Sequence, residues 1–192
     1  MVTTAERGRQ ARQRLLQAAT ELIAERGWSA ISTRMLAERA GVAPGVVHYH
    51  FTSVQALLSE AALQAARSLT AQAGPVLAGA RSADEALTVL LAMLDGSGGT
   101  DAVSVLFVET YLAAARDEAL QSALGEVIAE FRRQLADRLA AHAVPDPAAT
   151  AAVLAAAVDG VILHRTLLPG PDGSTVATVL RRLLTAGSEA TS

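Results

Sequence analysis

The chain has 192 residues, enough for one ordinary domain or two small ones sharing a core, which excludes a large multidomain enzyme. Its 16 basic residues are all arginine and are outweighed by 19 acidic ones, so the net charge of −3 excludes a globally basic nucleic-acid coat. Without cysteine there is no disulfide framework, thiolate zinc site or cysteine nucleophile, and a chain 51% hydrophobic but only 3% aromatic, rich in alanine and leucine, predicts an all-α fold.

The N-terminus opens on Glu6, Arg7, Arg9, Arg12 and Arg14 with no apolar stretch behind them, so no secretory signal is expected. Apolar residues at three- and four-residue spacing, Leu15, Ala19, Leu22 and Ile23, then predict a first helix over Gln10 to Arg26 that ends at Gly27. Ser32 can cap a short second helix, Thr33 to Ala40, which stops at Gly41. Pro44 suits the first position of a third short helix that carries Val46, Val47, His48, Tyr49 and His50 and ends at Phe51 and Thr52. Two short helices joined by a glycine-containing turn and packed on a longer one make a helix-turn-helix, whose second short helix enters a major groove. The interior of this head is expected to hold Leu16, Leu22, Trp28, Ile31, Leu36, Val42, Val47 and Phe51, with Trp28 in the core rather than at a contact.

Ser53 caps a long fourth helix, expected to break at Gly74-Pro75. Helices over Ala83 to Leu94, Ala102 to Ala115, Glu118 to His142, Ala148 to Leu168 and Thr175 to Ala186 follow, separated by glycine- and proline-rich turns. The longest uninterrupted apolar stretches, such as Ala148 to Ala157, fall short of the roughly 20 residues that cross a bilayer, so no membrane contact and a cytoplasmic location are expected. Residues 1–53 hold seven arginines against four acids, while residues 54–192 hold nine against fifteen. A basic head on an acidic body suggests local contact with a polyanion through the head.

The run LLQAATELIAERGWSAISTRMLAERAGVAPGVVHYHF followed by TSVQALL resembles the DNA-binding head of TetR-family transcriptional regulators, and chain length and helix count fit as well. The resemblance implies an all-α protein of about nine helices, with a helix-turn-helix DNA-binding domain over 1–53 and an effector-binding and dimerisation domain over 54–192. It places Pro44, Gly45, Val46, His48, Tyr49 and His50 against DNA, with His48 at a base, Tyr49 and His50 at phosphates, and Val46 on a thymine methyl. Ser32, Thr33 and Arg34 are then phosphate contacts, and Arg7, Arg9 and Arg12 form a disordered arm that reaches phosphates or a narrow minor groove. The chain departs from the family at Val54 and Pro44, where lysine is common, and at Ala43, where a polar cap is common, so its salt dependence is expected to be shallow.

For the body, the resemblance implies an effector cavity enclosed by helices four to seven and a homodimer through residues of about 148–186. The few aromatics cluster with Leu63, Leu90, Met93, Leu94, Phe107, Val108, Tyr111, Leu112, Val127, Ile128 and Phe131, which are the expected lining; Tyr111, Glu109, Arg132 and His164 are the polar side chains available to orient a ligand. Such a lining takes a small hydrophobic or aromatic effector. Val153, Leu154, Ala157, Val158, Val161, Ile162, Leu168, Val176, Val179, Leu180 and Leu183 form the expected dimer stripes, with Gly160 allowing close helix approach.

No cofactor or metal is expected. His48 and His50, two residues apart on a helix, point about 200° apart and cannot share an ion, and His142 and His164 suit hydrogen-bonded structural roles. Glu109, Asp117, Glu118 and Glu126 read as solvated helix faces, and there is no glycine-rich phosphate loop or nucleophile elbow, so no catalytic residue is assigned and an enzyme is not expected. The expected function is a ligand-responsive repressor released from a palindromic operator in double-stranded DNA. The alternative is a DNA-binding dimer whose helical body is a protein-interaction or structural module with no small-molecule effector.

Overall fold

The computed structural model describes residues 3–95, 101–165, 167–168 and 170–185. Among them lie nine α-helices and no strand: α1 (Thr4–Arg26), α2 (Thr33–Ala40), α3 (Pro44–His50), α4 (Val54–Gly79), α5 (Ala83–Asp95), α6 (Ala102–Ala114), α7 (Glu118–Ala141), α8 (Pro147–Arg165) and α9 (Gly173–Thr185), with a single 3-10 turn at Trp28–Ala30.

Local chemistry sets most of these boundaries. Ser32 Oγ accepts from the Met35 N–H at 3.4 Å to start α2, and Gly41 ends it in the left-handed region at φ 63°. Ser53 Oγ accepts from Ala56 N–H at 3.0 Å at the head of α4. Asp172 opens α9 by accepting from Thr175 N–H at 2.7 Å, which holds its carboxyl below the ordinary value.

Two expectations are corrected. First, α1 begins at Thr4 and not at Gln10: Thr3 and Glu6 form a capping box, with Thr3 N–H donating to Glu6 Oε2 at 2.6 Å and Glu6 N–H donating to Thr3 Oγ1 at 3.2 Å. Arg7, Arg9 and Arg12 therefore stand on an ordered helix and not on a disordered arm. Second, α4 runs through Gly74-Pro75 to Gly79. Proline removes one intrahelical hydrogen bond, and here the remaining turns carry the helix past that gap.

The chain forms two compact units, residues 1–66 with 105–124 and residues 67–104 with 125–192. In the first, Leu15, Leu16, Leu22, Ile23, Leu36, Val47, Phe51, Leu57 and Leu58 make one buried core. Ile31 is buried there as expected, whereas Trp28 and Val42 are only partly buried against it. In the second, Leu77, Leu87, Leu90, Leu135, Leu139, Leu154, Val158, Ile162 and Leu180 form the core. Arg138 there donates from Nε to the Leu77 carbonyl at 2.9 Å, and His142 Nε2 lies 3.3 Å from the Ala80 carbonyl oxygen, the structural role expected of it.

By length and composition α8, with a mean hydropathy of 1.5, is apolar enough to cross a membrane, which a search for uninterrupted apolar stretches does not detect. It nonetheless packs Ala151, Leu154, Val158 and Ile162 into the core of the second unit, as an alanine-rich core helix does.

Candidate nucleic-acid interface and body site

Helix α3 has a sharply divided surface. Val47 is buried, while Pro44, Gly45 and His48 are exposed and Tyr49 is 83% exposed. Residues 45, 48 and 49 are spaced to share one helix face, so the sequence places its groove-facing set on a single open side. A Cβ at Gly45 would meet nothing within 4 Å, so the packing of the protein does not require glycine there. His50 is half-buried, with its ring edge-on to Tyr49 at 4.9 Å and to Phe51 at 6.5 Å, and its Cε1 lies 3.9 Å from where a Cβ on Gly8 would stand. Val46 is also half-buried and packs against the head core, so its side chain is turned inward from the face that carries His48 and Tyr49.

Around this face, Ser32 and Arg34 are exposed and Thr33 is half-buried. Ser32 uses its hydroxyl oxygen to accept at the α2 cap, which leaves its O–H to donate. Arg7 and Arg9 are exposed on the first turns of α1. Arg12 is engaged within the protein: Nη2 donates to both carboxylate oxygens of Glu60 at 2.5 and 2.6 Å, and its guanidinium lies 4.9 Å from the centre of the Phe51 ring. It thereby ties α1 to the end of α3 and to α4. Arg39 braces α2 in the same way, donating to Glu25 at 2.6 and 2.9 Å and to Glu21 at 3.1 Å; this hydrogen bonding holds Glu25 below its ordinary value. Neither pair has a local sequence signature, because the partners stand 48 and 14 residues apart.

The expected effector lining divides between the two units. In the first, Leu63, Phe107 and Val108 are half-buried, Tyr111 and Leu112 are exposed, and the Phe107 and Tyr111 rings meet edge-on at 4.9 Å. In the second, Leu90 is fully buried core, Phe131 packs against that core, Ile128 is half-buried and Val127 is buried. The side chains of Met93 and Leu94 lie outside the described ones. Val127 borders a pocket of about 290 Å³ between α4 and α7 whose other lining is Arg67, Thr70, Ala71, Glu126, Glu130 and Gln134. Most of those residues are polar or charged, unlike the expected lining, although the surface they turn to the pocket is mostly their apolar stems. Gln134 donates to Glu130 at 2.6 Å, but its Oε1 is buried with no hydrogen-bond partner, as is Arg132 Nε on the same helix.

Glu109, expected on a solvated face, is half-buried and accepts from the Trp28 backbone N–H at 2.7 Å. The expected dimer stripes are also divided. Leu154, Val158, Ile162, Val176 and Leu180 face the core of their own unit, and Ala157 and Val161 pack against it. The apolar surface left on α8 and α9 and the turn between them is Val153, Leu163, Leu167, Leu168, Val179 and Leu183. A 3.6-residue period marks an apolar helix all round, but it does not say which side the neighbouring helices take. Among the described residues no group of three metal-ligating side chains comes together.

Comparison with known proteins identifies the architecture. Residues 15–61 match the family model for bacterial regulatory proteins of the tetR family, and residues 81–186 match that for the tetracyclin repressor-like C-terminal domain. An HTH-type transcriptional regulator of Mycobacterium bovis is 32% identical over 187 residues, covering 91% of this chain and 92% of the relative. A transcriptional regulator of Streptomyces coelicolor A3(2) superposes with a TM-score of 0.76 at 32% identity, covering 92% of this chain and 99% of that one. The multidrug-binding protein EbrR, solved with imidazole, gives a TM-score of 0.66 at 32% identity, covering 90% and 94%. With both halves matched and the relatives aligned over nearly their full length, the chain belongs to the TetR family of DNA-binding transcriptional regulators, which are not enzymes.

Proposed function

We propose that this regulator is a cytoplasmic repressor that binds a palindromic operator as a homodimer and is released by a small effector. The observation that carries the reading is the open face of α3, where Gly45, His48 and Tyr49 stand exposed around a glycine the fold itself does not require. His48 reads a base edge, Tyr49 and His50 position the helix on phosphates, and Ser32, Thr33, Arg34, Arg7 and Arg9 supply flanking backbone contacts. Arg12 acts by holding Phe51 and Glu60 rather than by reaching DNA. TetR regulators bind DNA as dimers, and in this reading Val153, Leu163, Val179 and Leu183 of α8 and α9 supply the twofold contact. Two recognition helices must then stand about 34–36 Å apart to enter successive major grooves.

The α4–α7 pocket supports an effector site in the body. Its Arg67, Thr70, Glu126 and Glu130 side chains beside Ala71 and Val127 favour a ligand that carries polar groups as well as apolar surface. The capture of imidazole by EbrR, a 32% identical relative, is consistent with a small nitrogenous or aromatic molecule. Effector binding that shifts α4 changes the spacing of the recognition helices, so effector and operator oppose each other reciprocally, by about 1–3 kcal/mol in coupling systems of this kind.

The test is in vitro selection of fragments from the source genome with the purified protein, repeated with His48→Ala and Tyr49→Ala. Recovery of one palindromic site, weakened in each variant by about 1–3 kcal/mol, is the expected result. Absence of any enriched sequence overturns the operator reading. A dimer that binds an operator but whose affinity no small molecule alters favours a body that serves as a protein-interaction module.

A further inference from the structure

The first compact unit carries a second pocket, of about 520 Å³ and half open to solvent, that the operator reading does not use. None of its lining belongs to α2 or α3. Its walls come from the Trp28 turn, from Gln55 at the start of α4 and from the end of α6 with the start of α7. The volume lies in the range of small-molecule sites. Two carboxylates, Glu109 and Asp117, and one guanidinium, Arg116, line it, and Arg116 donates to the Leu112 carbonyl of α6 at 3.2 Å. Glu109 uses Oε2 to accept from Trp28 N–H at 2.7 Å, and Asp117 uses Oδ1 to accept from Leu120 N–H at 3.0 Å, which leaves the second oxygen of each for a ligand. The indole N–H of Trp28 is already satisfied by Gln55 Oε1 at 2.7 Å, so the ring contributes apolar and π surface rather than a donor. Leu112 and Leu120 complete an apolar floor.

We propose that this cavity is a binding site for an organic ammonium ion, seated between the Glu109 and Asp117 carboxylates with its alkyl or aryl part against Trp28, Leu112 and Leu120. The chemistry favours an alkylated cation over a bare metal ion, since two carboxylates bordered by an indole and leucines offer too few oxygens to replace a hydration shell. It also disfavours an anion, which would have to approach both carboxylates.

Trp28 is the sole tryptophan of the chain, so its emission reports on this cavity. The full-length protein is titrated with benzyltrimethylammonium, with benzyl alcohol as the neutral match and benzoate as the anionic one, by fluorescence and by calorimetry. The same titrations are run on Glu109→Gln and Asp117→Asn, both of which keep an oxygen able to accept from the backbone N–H, and circular dichroism melting verifies that they fold. Saturable binding of benzyltrimethylammonium is expected, about tenfold tighter than benzyl alcohol and weakened about tenfold or more in each folded variant. No saturable binding, equal binding of benzoate, or unchanged affinity in a folded variant overturns the proposal. Operator selection is performed without the cation, so a chain that selects DNA but ignores the cation refutes this site alone, and one that binds the cation but selects no DNA refutes the operator reading alone.

Discussion

Gly45 illustrates how a single residue separates folding from function. Helical glycine costs about 1 kcal/mol relative to alanine, and open space surrounds the position where its Cβ would stand, so Gly45→Ala is expected to leave the protein as stable as before or slightly more so. If α3 lies in a groove, the added methyl stands where DNA backbone or base edges approach, and operator affinity is expected to fall by about tenfold. Thermal melting and an electrophoretic titration, run together, check both halves. A variant that binds DNA as tightly as the parent shows that this side of α3 is not the contacting one. At this scale His48 and Tyr49 could be read from the sequence, because one helical period fixes their shared face. The inward turn of Val46 could not, since that depends on a core built from residues as far on as Ala61, with Leu106 packed against it.

The helices show where a local code is sufficient and where it fails. Caps at Ser32 and Ser53, the glycine stop at Gly41 and the proline start at Pro44 lie next to the boundaries they set, and all four could be read in advance. The early start of α1 is fixed by a reciprocal Thr3–Glu6 pair that an apolar period ignores. The persistence of α4 past Pro75 reflects packing rather than propensity, with Leu77 fully buried two residues further on. An exposed proline inside a helix is a removable cost, so Pro75→Ala is expected to stabilise the protein by roughly 1–3 kcal/mol, read as a rise in melting temperature. No rise would show that the missing hydrogen bond is already compensated.

For the molecule as a whole, neighbouring residues on α8 have opposite surroundings. Leu154 is fully buried and Val153 is 54% exposed. Leu154→Ala is expected to cost about 2–5 kcal/mol of stability wherever the protein is assayed. Val153→Asp is expected to leave the helical content of the monomer intact and to convert a dimer into a monomer in sedimentation velocity, with operator binding lost in consequence. A Val153→Asp protein that stays dimeric excludes this face as the twofold contact. The sequence showed that α8 and α9 are apolar. It could not divide them between core and surface, because helices this rich in alanine present apolar atoms in every direction.

Helices α4, α6 and α7 each pass from one compact unit into the other, so neither unit is an uninterrupted stretch of chain. A gene fragment ending near residue 66 would encode the reading head without the segment 105–124 that completes its unit, and would leave Trp28 without the Glu109 carboxylate that accepts its backbone N–H. Exchange of operator specificity between such regulators by cutting and joining coding sequence is therefore better served by grafting the exposed residues of α3 than by transplanting the first third of the chain.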